Sequence, residues 1–383
     1  MNQSNTIVEQ ALGKAIRQTE ANVEPFRKCY KFSYSTHHVY IPVPEPFGWT
    51  DGFWPGELNL AYQATGNKKF LDAAGEYIPL FFDRIVDKIQ VDHHDMGFLY
   101  SPSCVAYYEE TKDRMARRAA LLAADNLLLR YHEIGRFLQC WGTIGARDNY
   151  RFIIDSMLNV PLLFWAWKET GWDNYRRIAV IHLETVFKTV FRKDGSTFQS
   201  YFLDPDTGKP DHGETHQGYK NNSTWARGQS WGIYGSALAY RNTHWPKAKE
   251  MFFKALALFE SKLPSDHIPY WDLTFSTGST EPRDASALAI VICGLLEMEH
   301  TMQEKAPTEA EVLHKKALDY LTTLCVSCAA NEGNGLLFHS TYARKSPYNT
   351  CTEKGVDECC AWGDYYYMEA LVRMKNPDWV SFW

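Results

Sequence analysis

The chain has 383 residues, 45% hydrophobic and 22% charged, near the globular average, so a sizeable core is expected and wholesale disorder is excluded. A formal net charge of −6 argues against general binding of nucleic acid or anionic membranes, either of which wants a basic face. Aromatic residues reach 15%, including 13 Trp, and part of that excess suits a cleft where indole faces meet sugar rings.

In chain order, residues 6–21 read as an amphipathic helix and not as a leader, because no basic stretch precedes an apolar core there. Apolar spacings of i, i+3, i+4 and i+7 then recur in pairs: 53–65 with 68–86, 101–110 with 113–132, 154–169 with 173–191. Further pairs are 226–241 with 245–263 and 286–302 with 308–325, and a last run at 363–374 finds its partner in 6–21. The first member of each pair is richer in aromatic and small residues and the second in charge, as expected of an inner and an outer helix. Thr65-Gly66 and Thr170-Gly171 are followed by an aromatic and an alanine at equal offsets, a weak internal repeat whose glycines suit the turn after an inner helix. Twelve helices closing into an all-α (α/α)6 barrel is the simplest architecture, with residues 1–383 as one catalytic domain. The stretches 198–222 and 329–358, rich in Gly, Asp and Asn, read as loops or short hairpins on the rim where the inner helices begin.

No segment approaches the ~18 uninterrupted apolar residues of a membrane span. Nine cysteines without framework spacing read as free thiols, and a cytoplasmic location is expected. CxxC at Cys325 and Cys328 lacks a second pair, and neither a phosphate loop nor a nucleophile elbow occurs.

Three stretches set an ionisable residue among aromatic and small apolar neighbours: DHHDMGFLYS with Asp95, RFIIDSMLN with Asp155, and STWARGQSWGIYG with Arg227. A charge so placed has lost water and is tolerated when paired or used. Asp155, flanked by Phe152, Ile153 and Ile154, is the candidate general acid/base, since desolvation keeps a carboxyl protonated near neutral pH; helix capping is the alternative. Asp95 is expected beside it, tuning its pKa or holding a sugar hydroxyl, with Ser101-Pro102 as N-cap and first residue of the following helix. His-His-Asp does not read as a metal site, because adjacent residues point poorly at one ion. Arg227, between Trp225 and Trp231 on one helix, suits a carboxylated sugar, or pairs with a rim aspartate. His216-Gln217 precedes it on the long loop, and Trp49 and Trp141 are further candidate walls. Asp51, Asp284 and Asp364 read as capping or first-turn residues, with buried pairing for the last two as the alternative.

Together, DHHDMGFLY, RFIIDSMLN, THQGY, WARGQSWGIYG, YWDL, PRDASA and WGDYYYMEAL resemble the unsaturated glucuronyl hydrolases of glycoside hydrolase family 88. The resemblance implies an (α/α)6 barrel that removes a 4,5-unsaturated uronic acid from the non-reducing end of lyase-generated glycosaminoglycan oligosaccharides. It assigns catalysis to Asp155 and Asp95, and substrate binding to Trp49, Trp141, Gln217, Arg227 and Trp231. Gln199 stands where some members carry a histidine. Thr352 and Lys354 match a rim segment that offers groups to a sulfate, with Asn349 in place of a serine. No metal or organic cofactor is implied, the partner is an oligosaccharide, and self-association is left open. Unsaturated rhamnogalacturonyl hydrolysis of pectin fragments and a non-catalytic carbohydrate-binding toroid are the alternative readings on the same scaffold.

Overall fold

Six helices form an inner ring: Phe53–Thr65, the 96–111 run, 156–170, Ala226–Thr243, Ala285–Met302 and Ala361–Lys375. In the computed structural model, which describes residues 3–377, 379 and 381–383, each touches the next in that order and the last touches the first. Met1, Asn2, Asp378 and Val380, part of the expected 1–383 unit, lie outside the described residues. Outer helices alternate with the inner ones: Lys68–Gly75 with Ile78–Val86, Arg114–Leu128, Asp173–Thr189, Pro246–Lys262, Pro307–Ser327 and Gln3–Asn22. The chain's first helix packs beside its last outer one, so the ring closes as an (α/α)6 barrel.

The inner–outer asymmetry of the sequence is the asymmetry of burial. Ala226–Ala239 is buried without a break and so is 361–373, whereas Pro307–Ser327 buries a single stripe. Ala285–Met302 has the length and apolarity of a membrane span, but 83% of it is buried within the ring. Gly66 and Gly171 end their helices in the left-handed region (φ 68° and 73°) and donate back to Tyr62 and Trp167, as their positions predict. Lys112 and His244 do the same without glycine, which is why the repeat is faint in sequence.

The second inner helix differs from expectation. It starts at Met96, with Asp95 at its N-cap position, and runs through Ser101-Pro102 as a π turn (Ser101–Val105) before continuing as Ala106–Thr111. Pro102 has no N–H to give the carbonyl four residues back, so the turn widens there instead of starting a helix. Asn59 Nδ2 caps the carbonyls of Pro102 and Ser103 at 2.9 and 3.2 Å.

Short strands occupy the rim. Arg151–Ile153, Ser200–Leu203 and Pro210–Glu214 form an antiparallel sheet with Arg151 opposite Phe202 and Ile153 opposite Ser200. Ser340–Ala343 pairs with Lys354–Glu358. Both long loop segments of the sequence thus contain hairpins.

Candidate active site

Inner helices that begin on one rim bring distant residues together. A cavity of about 410 Å³ opens there, and its wall holds Asp95 and Asp155 with Arg227, Trp49, Trp141 and Trp231. Gln199, Gln217, Thr352 and Lys354 complete the sequence-predicted set on the same wall.

The two aspartates meet because their helix starts touch. Gly97 lies so close to the neighbouring helix that a Cβ there would fall 2.4 Å from Asn159 Cα, so any side chain would pry the starts apart. Asn159 stitches the seam: its Oδ1 accepts from Phe98 N–H at 2.9 Å, and its Nδ2 donates to Asp95 Oδ1 at 3.3 Å and to the Asp155 carbonyl at 3.2 Å. Asp155 follows the strand 151–153, whose end is pinned by Ile154 N–H donating to the Gln199 carbonyl at 2.8 Å. It makes no side-chain cap, so the capping alternative does not hold.

His94 joins the two carboxylates. Its Nε2 stands 3.2 Å from Asp95 Oδ1 and 3.4 Å from Asp155 Oδ1, while His93 Nδ1 is 3.1 Å from Asp95 Oδ2. Adjacency therefore does not keep these side chains apart: two neighbouring imidazoles converge on one carboxylate. Burial lowers the His94 pKa, but the two aspartates outweigh it and hold it above its ordinary value. Nε2 thus lies between the two carboxylates, which favour its protonated form. The same three side chains place ligand atoms within 4.8 Å of one another, the spacing a cation would need.

The environments split the carboxyl groups. Burial pushes Asp155 up to about 7, opposed by His94 and supported by the Asp95 charge. Burial acts on Asp95 as well, but His94 and His93 prevail and hold it well below the carboxylate range. The Asp155 side chain is 20% exposed, and its Oδ1 accepts no aligned hydrogen bond. One group is thus poised to exchange a proton near neutrality and its neighbour stays ionised.

Arg227 sits in the first turn of its helix, sandwiched between the rings of Trp225 (4.4 Å) and Trp362 (4.6 Å). Trp231 lies deeper, packed on Phe98 and Tyr366, so of the two indoles expected beside the guanidinium Trp225 is in place, and Trp362 joins it from the last inner helix. Nη1 donates to Asp284 Oδ2 at 3.0 Å and the Thr341 carbonyl at 2.6 Å, and Nη2 to the Tyr342 carbonyl at 2.6 Å. The buried pairing and the cavity position coexist: Nε–H and one Nη2–H have no acceptor among the described residues. Asp284 is therefore a partner of Arg227 and Ser286, not a cap. Asp51 pairs with buried Arg84 at 2.6 Å, and Asp364 accepts from Leu337 N–H at 2.9 Å. None of the three caps its helix.

Gln199 and Gln217 form a reciprocal amide clamp. Gln199 Nε2 donates to Gln217 Oε1, and Gln199 Oε1 accepts from Gln217 N–H, both at 2.6 Å. Trp49 stacks on Trp362 at 5.2 Å, and its Nε1 donates to Tyr342 Oη at 3.4 Å. Trp141 is 40% exposed at the mouth. Thr352 and Lys354 stand exposed on the rim, whereas Asn349 turns inward and donates to the carbonyls of Gly218 and Arg344 at 2.9 and 3.0 Å, so it frames the loop.

The family model for Glycosyl Hydrolase Family 88 matches residues 27–376. The chain belongs to glycosyl hydrolase family 88. It is 42% identical to the unsaturated chondroitin disaccharide hydrolase of Streptococcus pneumoniae, over 98% of this chain and 93% of that one. The crystal structure of the unsaturated glucuronyl hydrolase from Streptococcus agalactiae superposes with a TM-score of 0.93 at 40% identity, over 99% and 94% of the two chains. That from Bacillus sp. GL1, described as responsible for the degradation of glycosaminoglycan, gives 0.91 at 35% identity, over 98% and 99%. A family 88 member is a glycosidase, and both solved relatives share the closed helical ring. Within this family 88 site, sequence reasoning missed His94 as the bridge, Asn159 as the stitch, and the Trp362 and Tyr342 walls. His94 and Asn159 were within reach, adjacent to Asp95 and four residues after Asp155. Tyr342 lies in a rim strand that carries no helical signal.

Proposed function

We propose that this protein removes the 4,5-unsaturated uronic acid from the non-reducing end of lyase-generated glycosaminoglycan oligosaccharides. The names of the relatives support the substrate class. The observation that carries the chemistry is Asp155, a cavity carboxyl with a pKa of about 7 beside an ionised second carboxylate.

Hydration of the enol ether fits this pair. Asp155 delivers its proton to C4, and the ring oxygen supplies the electrons that spread the resulting cation over C5. Asp155, now a carboxylate, takes a proton from water as its oxygen bonds to C5. The C5 hemiketal opens to a ketone, C1 becomes a hemiacetal of the leaving sugar, and its collapse releases that sugar with its proton restored. His94 acts as a positioning residue: its Nε2 lies between the two carboxylates, which favour its protonated form. Arg227, with its two uncommitted N–H groups, suits the C6 carboxylate, and Trp49 and Trp231 suit the ring face. The Gln199–Gln217 clamp suits sugar hydroxyls.

Thr352 and Lys354 suit a sulfate on the sugar beyond the cleaved bond. A variant of the Streptococcus agalactiae enzyme has been solved with dGlcA-GalNAc6S, which supports a sulfated disaccharide as the ligand class. Nine unpaired cysteines suit a reducing compartment and support a cytoplasmic location.

The test is loss of the unsaturated uronate's ultraviolet absorbance on disaccharides from hyaluronan, chondroitin sulfate, heparin and pectin. Turnover of the glycosaminoglycan disaccharides is expected. Turnover of the pectin product alone would move the assignment to rhamnogalacturonyl hydrolysis, and turnover of none to a binding protein.

A further inference from the structure

A ladder of stacked side chains leads outward from the cavity, and beyond Trp141 its members, Arg151, Phe202 and His212, have none of the roles above. Its inner rung is Trp141, on the cavity wall and bridged through its backbone to His93 of the aspartate turn. The guanidinium of Arg151 lies 4.9 Å from the centre of the Trp141 ring and 4.9 Å from that of Phe202. His212 stacks on Phe202 at 4.6 Å with the rings 4° from parallel. Strand alternation explains the placement. Arg151 and Ile153 share a face of their strand, and Ile153 lines the cavity, so Arg151 continues the wall one step outward.

A guanidinium held against aromatic rings keeps its edge for hydrogen bonding. Arg151 Nε donates to Asn149 Oδ1 at 2.8 Å, and Asn149 in turn donates to the Trp141 carbonyl, so one residue locks arginine and indole together. Neither Nη of Arg151 has an acceptor among the described residues. The carboxylates of the hairpin, Asp211 and Glu214, face His212 at 2.9 and 3.5 Å. An oriented, half-buried fork of N–H donors is thus left open beside the mouth.

We propose that Arg151 and Trp141 form a distal subsite for an anionic sugar, taking the carboxylate of the second uronic acid in an unsaturated tetrasaccharide. The inference rests on the proposed function. In a chain that alternates uronic acid and hexosamine, the unsaturated unit fills the cavity and the hexosamine lies across the open side of Trp141. The next uronate then reaches Arg151. This carboxylate is present whatever the sulfation, which separates the subsite from the sulfate reading at Lys354.

The test compares kcat/KM on unsulfated unsaturated di- and tetrasaccharides for the native protein and Arg151→Gln. The tetrasaccharide-to-disaccharide ratio is expected to fall about tenfold in the variant, the scale of a charge-assisted contact. A second arm uses the native protein with a tetrasaccharide whose internal uronate carboxyl has been reduced to the alcohol. The same fall is expected there, and it decides the matter if Arg151→Gln does not fold. A ratio unmoved by carboxyl reduction overturns the subsite. Absence of any disaccharide turnover by the native protein instead overturns the function reading, and this inference with it.

Discussion

The barrel has a cavity at each mouth, and the larger one is not the site. Where the inner helices end, about 840 Å³ is enclosed by Trp165, Arg241, Glu297, Arg373 and Trp379 among others, twice the space found where they begin. Its buried charges are paired: Glu297 receives Arg241 at 2.8 Å and Arg373 at 3.0 Å, and Glu369 receives Arg373 at 3.2 Å and Trp383 Nε1 at 2.8 Å. Burial would raise the Glu297 pKa, but the two arginines hold it below the ordinary value. At the other mouth burial wins at Asp155, whose Oδ1 is left without an aligned donor. Size and aromatic lining do not distinguish the two ends. Incomplete compensation of one carboxyl does.

That contrast predicts opposite phenotypes for the same chemical change. Asp155→Asn removes the exchangeable proton but little packing, so kcat is expected to fall by roughly 10³-fold, with the thermal midpoint unchanged or raised. Glu297→Gln leaves buried Arg373 and partly exposed Arg241 short of a counter-charge and should destabilise the fold by about 3 kcal/mol, with kcat of the folded fraction kept. Steady-state kinetics beside denaturant unfolding reads both. Activity retained in Asp155→Asn would break the comparison at its root.

A smaller effect separates the two partners of Asp155. The acid form starts the reaction, so activity should decline as pH rises through the Asp155 pKa, near 7. The Asp95 charge raises that pKa and His94 lowers it. Asp95→Asn should therefore move the falling limb of the kcat/KM profile to lower pH, and His94→Gln should move it to higher pH. Shifts in the same direction would mean that the imidazole does not stand between the carboxylates as a cation.

The comparison also marks what was legible in the chain. Period and burial asymmetry pointed to twelve helices, because an inner helix buried on all sides tolerates few charges and those paired, whereas an outer one carries them freely on its solvent face. Asp95, Asp155 and Arg227 stood out because a charge among Phe, Ile and Trp is costly wherever it lies. What stayed hidden depends on the fold's closure: Trp362 reaches Arg227 across the ring, and Tyr342 arrives on a two-stranded hairpin too short for a periodic signal. The π turn was read as a helix start because proline suits a first turn as well as a widened one.

The least effect is expected at the rim. Lys354 begins its strand exposed to solvent, and Thr352 beside it is also exposed, so a sulfate held there keeps much of its hydration. Screening by water and salt limits such contacts. Lys354→Ala should lower kcat/KM on a sulfated disaccharide only about threefold, and the loss should shrink as ionic strength rises. The unsulfated disaccharide offers nothing for the ammonium to lose, so its turnover is the internal control. Equal losses on both substrates would remove sulfate recognition from this loop.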